Sequence, residues 1–424
     1  MHDLVLDLAL DISKGNCLTL IAGGVNCHSE VQHLPLGLMG ETSFEIPKEN
    51  VGKLRTLFLI VNLRKNIAEV EWMRALSLEL YHVKELPNSN SKFTHLRYLD
   101  LSSIVVNQDN EGIVSSSCNG AAARAPTVAF PALRELVLGD MPNLEEWSGP
   151  GVSLSSYSSP ATVMFCPRLE GLYIGLCPHL TTIPGHLLSL QELFFDGNRR
   201  NQFWEIGKTY HPFSSIEIFR VSGWKSDILM VDSLEKSSKT LKMLTIRTFY
   251  QRCYLANNLQ NFASLKVLKI ENCADIMSLT KETEASCGLT SLQRLSILHC
   301  ENLTCLHMGL PHIPSDIEHS RMSKIGELLG REAAPFISLE SLNLWGWEGV
   351  KYLPDQLQHL TALRELLIEH FNGLEALPEW LGRLSSLHSL ELWDCENLMN
   401  LLTLEAMQCL INLRSLRISG CPHL

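Results

Sequence analysis

The sequence predicts an α/β solenoid in which one short parallel strand and one return segment alternate along the chain. Three observations predict it. The string Leu-x-x-Leu-x-Leu/Ile recurs at near-regular intervals. A compact residue, often Cys, recurs eight residues after its leading Leu. Beyond that residue the apolar spacing changes from the two-residue step of a strand to the three- and four-residue steps of a helix.

The fullest form of the string is Leu387, Leu390, Leu392, Cys395, Leu398 and Leu401. The same frame fits Leu169/Leu172/Ile174/Cys177, Leu265/Leu268/Ile270/Cys273 and Leu292/Leu295/Ile297/Cys300. This is the signature of a leucine-rich repeat. Leading residues fall at 54, 73, 96, 133, 169, 190, 216, 241, 265, 292, 339, 363, 387 and 413, which makes fourteen repeats over residues 51–424. Ten of the thirteen intervals are 19 to 27 residues long, and the other three hold irregular insertions near 107–127, 148–161 and 308–335. The first two are rich in Ser and Gly with little to bury; the third contains Ile325-Gly-Glu-Leu-Leu329, the pattern of a short helix.

Within each repeat the first, fourth and sixth residues are expected to face the core, because side chains alternate along a strand. The fifth and seventh then face solvent on the concave side of a horseshoe. Pro184, Pro354 and Pro378 follow the last strand-type apolar residues, and Ile183/Leu187/Leu190, Leu353/Leu357/Leu360 and Leu377/Leu381/Leu384 predict short return helices. A single repeat cannot bury its own apolar face, so each depends on its neighbours. The chain stops at Leu424, eleven residues into the last repeat and without a polar cap, which reads as a truncation leaving an open strand edge.

Composition narrows the functional classes. The 35 basic and 46 acidic residues give a net charge of −11, which lacks the basic footprint of a nucleic-acid binder. Acids at Asp3, Asp7 and Asp11 argue against a secretion signal. The longest strongly apolar run, Leu57 to Val61, falls far short of the roughly 20 residues of a membrane span. A soluble cytoplasmic protein is expected. Thirteen cysteines include no Cys-x-x-Cys pair. Cys177, Cys273, Cys300, Cys395 and Cys421 share the position eight residues after a leading Leu, where a reduced thiol is expected to turn inward and satisfy backbone groups.

Motifs for chemistry are weak. Gly207-Lys208-Thr209 matches the end of a phosphate-binding loop, but the required first Gly falls on Gln202. His299, Cys300, Cys305 and His307 match no tetrahedral metal spacing, and Cys300 is already a repeat position. No Gly-x-Ser-x-Gly elbow occurs, so no enzyme is expected. Asn302-Leu303-Thr304 is a formal glycosylation sequon, but Leu303 is a core position. The functional signal is a binding face. Fifth and seventh positions of the last four repeats read Asn343/Trp345, Leu367/Glu369, Glu391/Trp393 and Arg417/Ser419. Two exposed Trp on either side of a Glu would form a patch about 10 Å across, and Trp and Arg dominate interface energetics. Tyr173 and Lys269 occupy the same row positions in other repeats.

The repeat form ending in Leu/Ile-Pro, with Thr94-His-Leu-Arg-Tyr-Leu-Asp-Leu-Ser102, Phe130-Pro-Ala-Leu-Arg-Glu-Leu136 and Met141-Pro-Asn-Leu-Glu-Glu-Trp147, is similar to the plant intracellular disease resistance proteins that join a nucleotide-binding (NB-ARC) module to leucine-rich repeats, mostly with a coiled-coil N-terminus. Met1-His2-Asp3 resembles the Met-His-Asp segment that closes that module. The resemblance implies that residues 1–50 are the end of a winged-helix subdomain and a linker, with His2 and Asp3 as nucleotide-sensing residues. ADP or ATP serves the full-length family. Here the phosphate loop is absent, so no cofactor is expected in this chain. The implied partners are proteins: a pathogen effector, a host protein that it modifies, and the nucleotide-binding module itself. Departures from the family are Asn90 where an Ile is usual and a short gap between Ile104 and Phe130, both consistent with a shortened gene product. The alternative is a substrate-recruiting subunit of a ubiquitin ligase, which would carry an F-box-like helical module ahead of the repeats.

Overall fold

The computed structural model describes residues 33–36, 55–59, 73–78, 94–102, 130–142, 144, 166–180, 183, 187–196, 214–223, 237–248, 254–256, 262–273, 278–280, 289, 291–300, 338–346, 351–353 and 355–424. His2 and Asp3 lie outside them, as do the three insertions, Gly207 to Thr209, and Asn302 to His307. The chain divides into two units, residues 1–215 and 216–424.

In the first unit, β1 (His33–Leu36), β2 (Thr56–Leu59), β3 (Ala75–Leu78), β4 (Tyr98–Asp100), β5 (Glu135–Gly139), β6 (Gly171–Gly175) and β7 (Glu192–Asp196) pair in chain order, every pair parallel. The second unit contains β8 (Ile218–Ser222), β9 (Met243–Arg247), β11 (Val267–Glu271), β13 (Arg294–Leu298), β14 (Ser341–Trp345), β15 (Glu365–Glu369), β16 (Ser389–Trp393) and β17 (Ser415–Ser419), again in order and parallel. Every one of the fourteen sequence frames carries a strand. One more, β1, precedes them, on the apolar steps of Val31, Leu34 and Leu36.

The register explains the core. Leu366 pairs with Leu342 on one side and Leu390 on the other, and Ile368 pairs likewise with Leu344 and Leu392. These residues are at most 3 % exposed, and the leading residues Leu339, Leu363 and Leu387 are fully buried. Each repeat's core is completed by the one that follows. Leu416 and Ile418 of β17, with no strand beyond them, are 38 % and 39 % exposed, against 1 % and 0 % for Leu390 and Leu392.

The strands end in a fixed turn. The residue seven after the leading one takes a left-handed backbone, with φ of 50° to 56° at Asp140, Leu176, Thr248, Asn272, His299, His370 and Asp394, and glycine at 223 and 420. Its N–H stays in the ladder: His370 donates to the Trp393 carbonyl (2.9 Å) and Asp394 to that of Ser419 (2.8 Å). One residue on sits the repeat cysteine. Cys177, Cys273, Cys300 and Cys395 are at most 1 % exposed. Each Sγ faces the carbonyl of its own strand's last residue (3.2 to 3.5 Å) and one from the preceding repeat (3.7 to 4.0 Å). The inward, backbone-satisfying role expected of the repeat cysteines is what the structure shows for these four; Cys421, in the last repeat, is partly exposed, with its Sγ at 3.5 Å from the Ser419 carbonyl, and none of the five is in a disulfide. Burial pushes the Cys177 and Cys395 thiols up to about 11.

The return segments differ from expectation in kind. The apolar triplets Leu353/Leu357/Leu360 and Leu377/Leu381/Leu384 are buried as read, at 3 % exposure or less. Their middle members, Leu357 and Leu381, lie on 3₁₀ helices, η1 (Asp355–His359) and η2 (Glu379–Arg383), rather than α-helices, and the outer members flank these turns. A 3₁₀ helix rises about 2.0 Å per residue against 1.5 Å for an α-helix, so five residues cover more of the return path. The α-helix among the described residues is α1 (Leu404–Cys409), capped by Thr403, whose hydroxyl accepts from the Ala406 N–H (3.3 Å). Thirteen residues after the leading residue a second parallel ladder forms: β10 (Tyr254–Ala256) with β12 (Ser278–Thr280), and the bridge between Ala376 and Asn400. No helix among the described residues is long and apolar enough to cross a membrane.

Candidate protein-interaction face

Strands β14 to β17 bring the sequence-predicted residues into two rows. Asn343, Leu367, Glu391 and Arg417 are successive register partners, and so are Trp345, Glu369, Trp393 and Ser419. Parallel strands lie about 4.8 Å apart, so each row presents four side chains over about 15 Å. In other repeats, Tyr173 stacks on Phe194 with ring centroids 4.6 Å apart, and Lys269 registers between Thr245 and Ser296.

The rows hold a different surface from the expected pair of exposed Trp. Trp345 is half-buried and lies between two imidazoles: His299 at a centroid distance of 3.6 Å and His370 at 3.9 Å, both tilted by 39°. The two His sit at the left-handed turns that end β13 and β15. The corresponding residue after β14 is Gly346, which has no side chain to compete for that space. Its N–H donates to the Glu369 carbonyl at 2.6 Å. Trp393 remains open, at 38 % exposure. Its indole N–H donates to Glu391 Oε2 (3.3 Å), while Glu391 Oε1 accepts from Arg417 Nη1 (3.1 Å) and the Ser389 hydroxyl (3.4 Å). Asn343 is half-exposed, and its amide makes no hydrogen bond among the described residues.

Beside Trp393, His370 Nε2 lies 3.6 Å from Asp394 Oδ2 and 4.0 Å from Glu369 Oε1. Glu369, His370 and Asp394 offer ligand atoms within 4.8 Å of one another and are the trio among the described residues that could hold a metal ion. All three are partly exposed, and His370 is accounted for by its contacts with the two carboxylates and with the Trp345 ring. Of the His/Cys cluster considered from sequence, His299 is engaged with Trp345 and Cys300 is buried against backbone carbonyls. The face therefore carries one open indole with three carboxylates (Glu369, Glu391, Asp394), one arginine and one histidine. It suits a partner presenting an apolar or aromatic group ringed by cations, since charge complementarity steers encounter and fixes orientation.

The sequence places the rows but not His370 and Asp394, and it offers His299 only as a metal candidate, not as a neighbour of Trp345. Their signal was the position seven residues after the leading Leu, just before the buried Cys300, Phe371 and Cys395, where the strand turns and the side chain is not claimed by the core.

Comparisons with known proteins agree on the fold. Residues 350–421 match the family model described as R13L1/DRL21 LRRs, a stretch that includes β15, β16 and β17 but not β14. No curated protein matches the chain. Among solved structures, Toll in the Toll–Spätzle complex of Drosophila aligns over 92 % of this chain and 46 % of its own, at 15 % identity and a TM-score of 0.51. A leucine-rich-repeat protein of Leptospira interrogans aligns over 90 % and 94 %, at 16 % identity and a TM-score of 0.43. The ectodomain of the plant receptor kinase GASSHO1/SCHENGEN3 of Arabidopsis thaliana aligns over 92 % and 41 %, at 20 % identity and a TM-score of 0.41. The chain thus has the fold of a leucine-rich-repeat solenoid.

Proposed function

We propose that this chain is the recognition part of a cytoplasmic plant immune receptor. Through the β14–β17 face it senses a pathogen effector, or a host protein that an effector has modified, and it restrains a nucleotide-binding module until then. The observation that carries the proposal is the open Trp393, in register with Glu369 and beside the neighbouring row's Glu391 and Arg417, on the repeats that match a resistance-protein-related family model. An exposed indole beside an arginine, on a rigid sheet, is the composition of an interface hot spot. The rest of the face pays no visible debt to the fold, since the core is filled by the alternate residues. In this reading His2 and Asp3 belong to the nucleotide-sensing segment, and the nucleotide itself is held by residues outside this chain.

Affinity capture from infected plant tissue tests the proposal, using the full chain and a Trp345→Ala/Trp393→Ala variant at equal abundance. The expected result is that a pathogen-derived protein, or a host protein altered by infection, is retained by the first and lost from the second. Equal retention of the same partner by both would remove the face from the recognition step.

A further inference from the structure

The second position of four successive repeats is arginine: Arg55, Arg74, Arg97 and Arg134. The main chain stacks them at the N-terminal edge of the strands of the first unit. Arg74 N donates to the Arg55 carbonyl (2.7 Å), Arg97 N to that of Arg74 (2.7 Å), and Arg134 N to that of Arg97 (2.8 Å). Consecutive arginines are thus one strand apart, about 4.8 Å. Arg134 is matched by Glu170, its Nη1 at 3.0 Å from one carboxylate oxygen and 3.3 Å from the other. Arg74 and Arg97 have no side-chain hydrogen bond or ion pair among the described residues, and neither has Arg168 in the loop before β6.

These three unmatched guanidiniums line one cavity of about 350 Å³. His95 and Thr94 add further polar groups, Pro131 and Ala132 form an apolar wall, and no carboxylate among the described residues lines it. Like charges side by side along a ladder are destabilising, and the chain as a whole carries −11. The fold gains nothing from gathering cations here, so their use is external. A guanidinium fork matches two oxygens of one phosphate. Arg168 stands off the ladder formed by Arg74 and Arg97, so the three converge on a volume rather than running along a line. Convergence suits a compact polyanion; an acidic peptide spaces its charges along an extended chain, about 3.3 Å per residue. The volume is at the small end of ligand pockets.

We propose that this cavity binds a small organic phosphate bearing two or more phosphate groups, with Arg74, Arg97 and Arg168 as its forks. Such a group is carried by free polyphosphorylated metabolites and by the headgroups of phosphorylated lipids. Calorimetry of the full chain with inorganic tripolyphosphate tests it. Binding at one site per chain is expected, at least tenfold tighter than inorganic monophosphate, and weakened at least tenfold by Arg97→Gln or Arg168→Gln. Arg414→Gln removes an exposed arginine at the same repeat position in the second unit and should leave binding unchanged. The targeted side chains are exposed, so melting temperatures should stay at the wild-type value. Should Arg97→Gln misfold, Arg97→Lys keeps the charge without the fork, and a severalfold loss is expected. Sedimentation with phosphatidylinositol-bisphosphate vesicles that tripolyphosphate reverses would assign the lipid source; tripolyphosphate binding without sedimentation would assign the free one. Equal binding by all variants would overturn the proposal. So would no binding of tripolyphosphate alongside Arg97-dependent binding of a poly-glutamate peptide.

Discussion

Replacing Gly346 by alanine probes how closely successive repeats are packed beneath the candidate face. A Cβ at this position would lie 2.3 Å from the His370 carbonyl oxygen, 2.5 Å from Phe371 Cα and 2.6 Å from His370 C. All three are main-chain atoms of the next repeat, so no side-chain rotation relieves the overlap. The end of β15 must draw back by about 1 Å to restore ordinary contact. Overpacking of this kind costs about 1–3 kcal/mol. The displacement also strains the 2.6 Å bond from Gly346 N–H to the Glu369 carbonyl, worth about 1 kcal/mol, and the Trp345–His370 stack, worth about 0.5–1.5 kcal/mol. A total loss of about 3–4 kcal/mol is expected. Gly171→Ala is the internal control. Its Cβ would meet only the Glu135 side chain, at 3.5 Å, and restricting the unfolded chain should stabilise by about 0.4–1 kcal/mol. Urea denaturation followed by circular dichroism reads both, and hydrogen exchange of the β15 amides localises the first. A Gly346→Ala variant within about 0.5 kcal/mol of wild type would refute the stated closeness of the two repeats.

Three further outcomes follow from the same geometry. Cys177 and Cys395 are pushed by burial from 9.0 to about 11, so between those values the unfolded chain releases protons that the folded chain keeps. Stability should be intact below pH 9 and fall as pH rises towards 11, by up to about 2–3 kcal/mol per thiol; denaturation across that range should show a shallower fall in Cys395→Ala. Arg417→Ala should change stability by less than about 1 kcal/mol, because its pair with Glu391 is open to water on the arginine side, yet it should weaken partner capture; a melting curve and the capture assay separate the two. Thr403→Ala removes the cap of α1 and the hydroxyl that donates to Glu379 Oε2 at 2.6 Å. About 1 kcal/mol should be lost, confined to exchange of residues 404–409.

The fold was legible because a core position in a solenoid obeys a fixed local rule. Leu363, Leu366 and Ile368 are spaced for a strand, and the same spacing one repeat later lands in register with them. The return segments were legible in burial but not in type. Leu377, Leu381 and Leu384 fit the helical stripe equally well around a 3₁₀ turn that holds only the middle one, and only the distance to be covered distinguishes the two. β1 was hidden by its company: Leu34-Pro-Leu36 carries the strand step, but the segments around it do not repeat. The site was half legible. Alternation along a strand fixed which residues share a row, so Trp345, Glu369, Trp393 and Arg417 could be placed together. What covers Trp345 could not be foreseen, because His299 and His370 reach it from turns of the two neighbouring repeats. That contact spans 46 residues of chain to His299 and 25 to His370, and no local pattern encodes it.

The binding role of the β14–β17 rows is tested most directly by hydrogen–deuterium exchange of the full chain with and without a captured partner. Protection is expected in peptides spanning 341–345, 365–369, 389–393 and 415–419, together with the turns at His370 and Asp394. Protection confined to the return segments at 355–359, 379–383 and 404–409, with the strand peptides unchanged, would show that the partner grips the opposite wall and that Trp393 and its neighbours are not the contact.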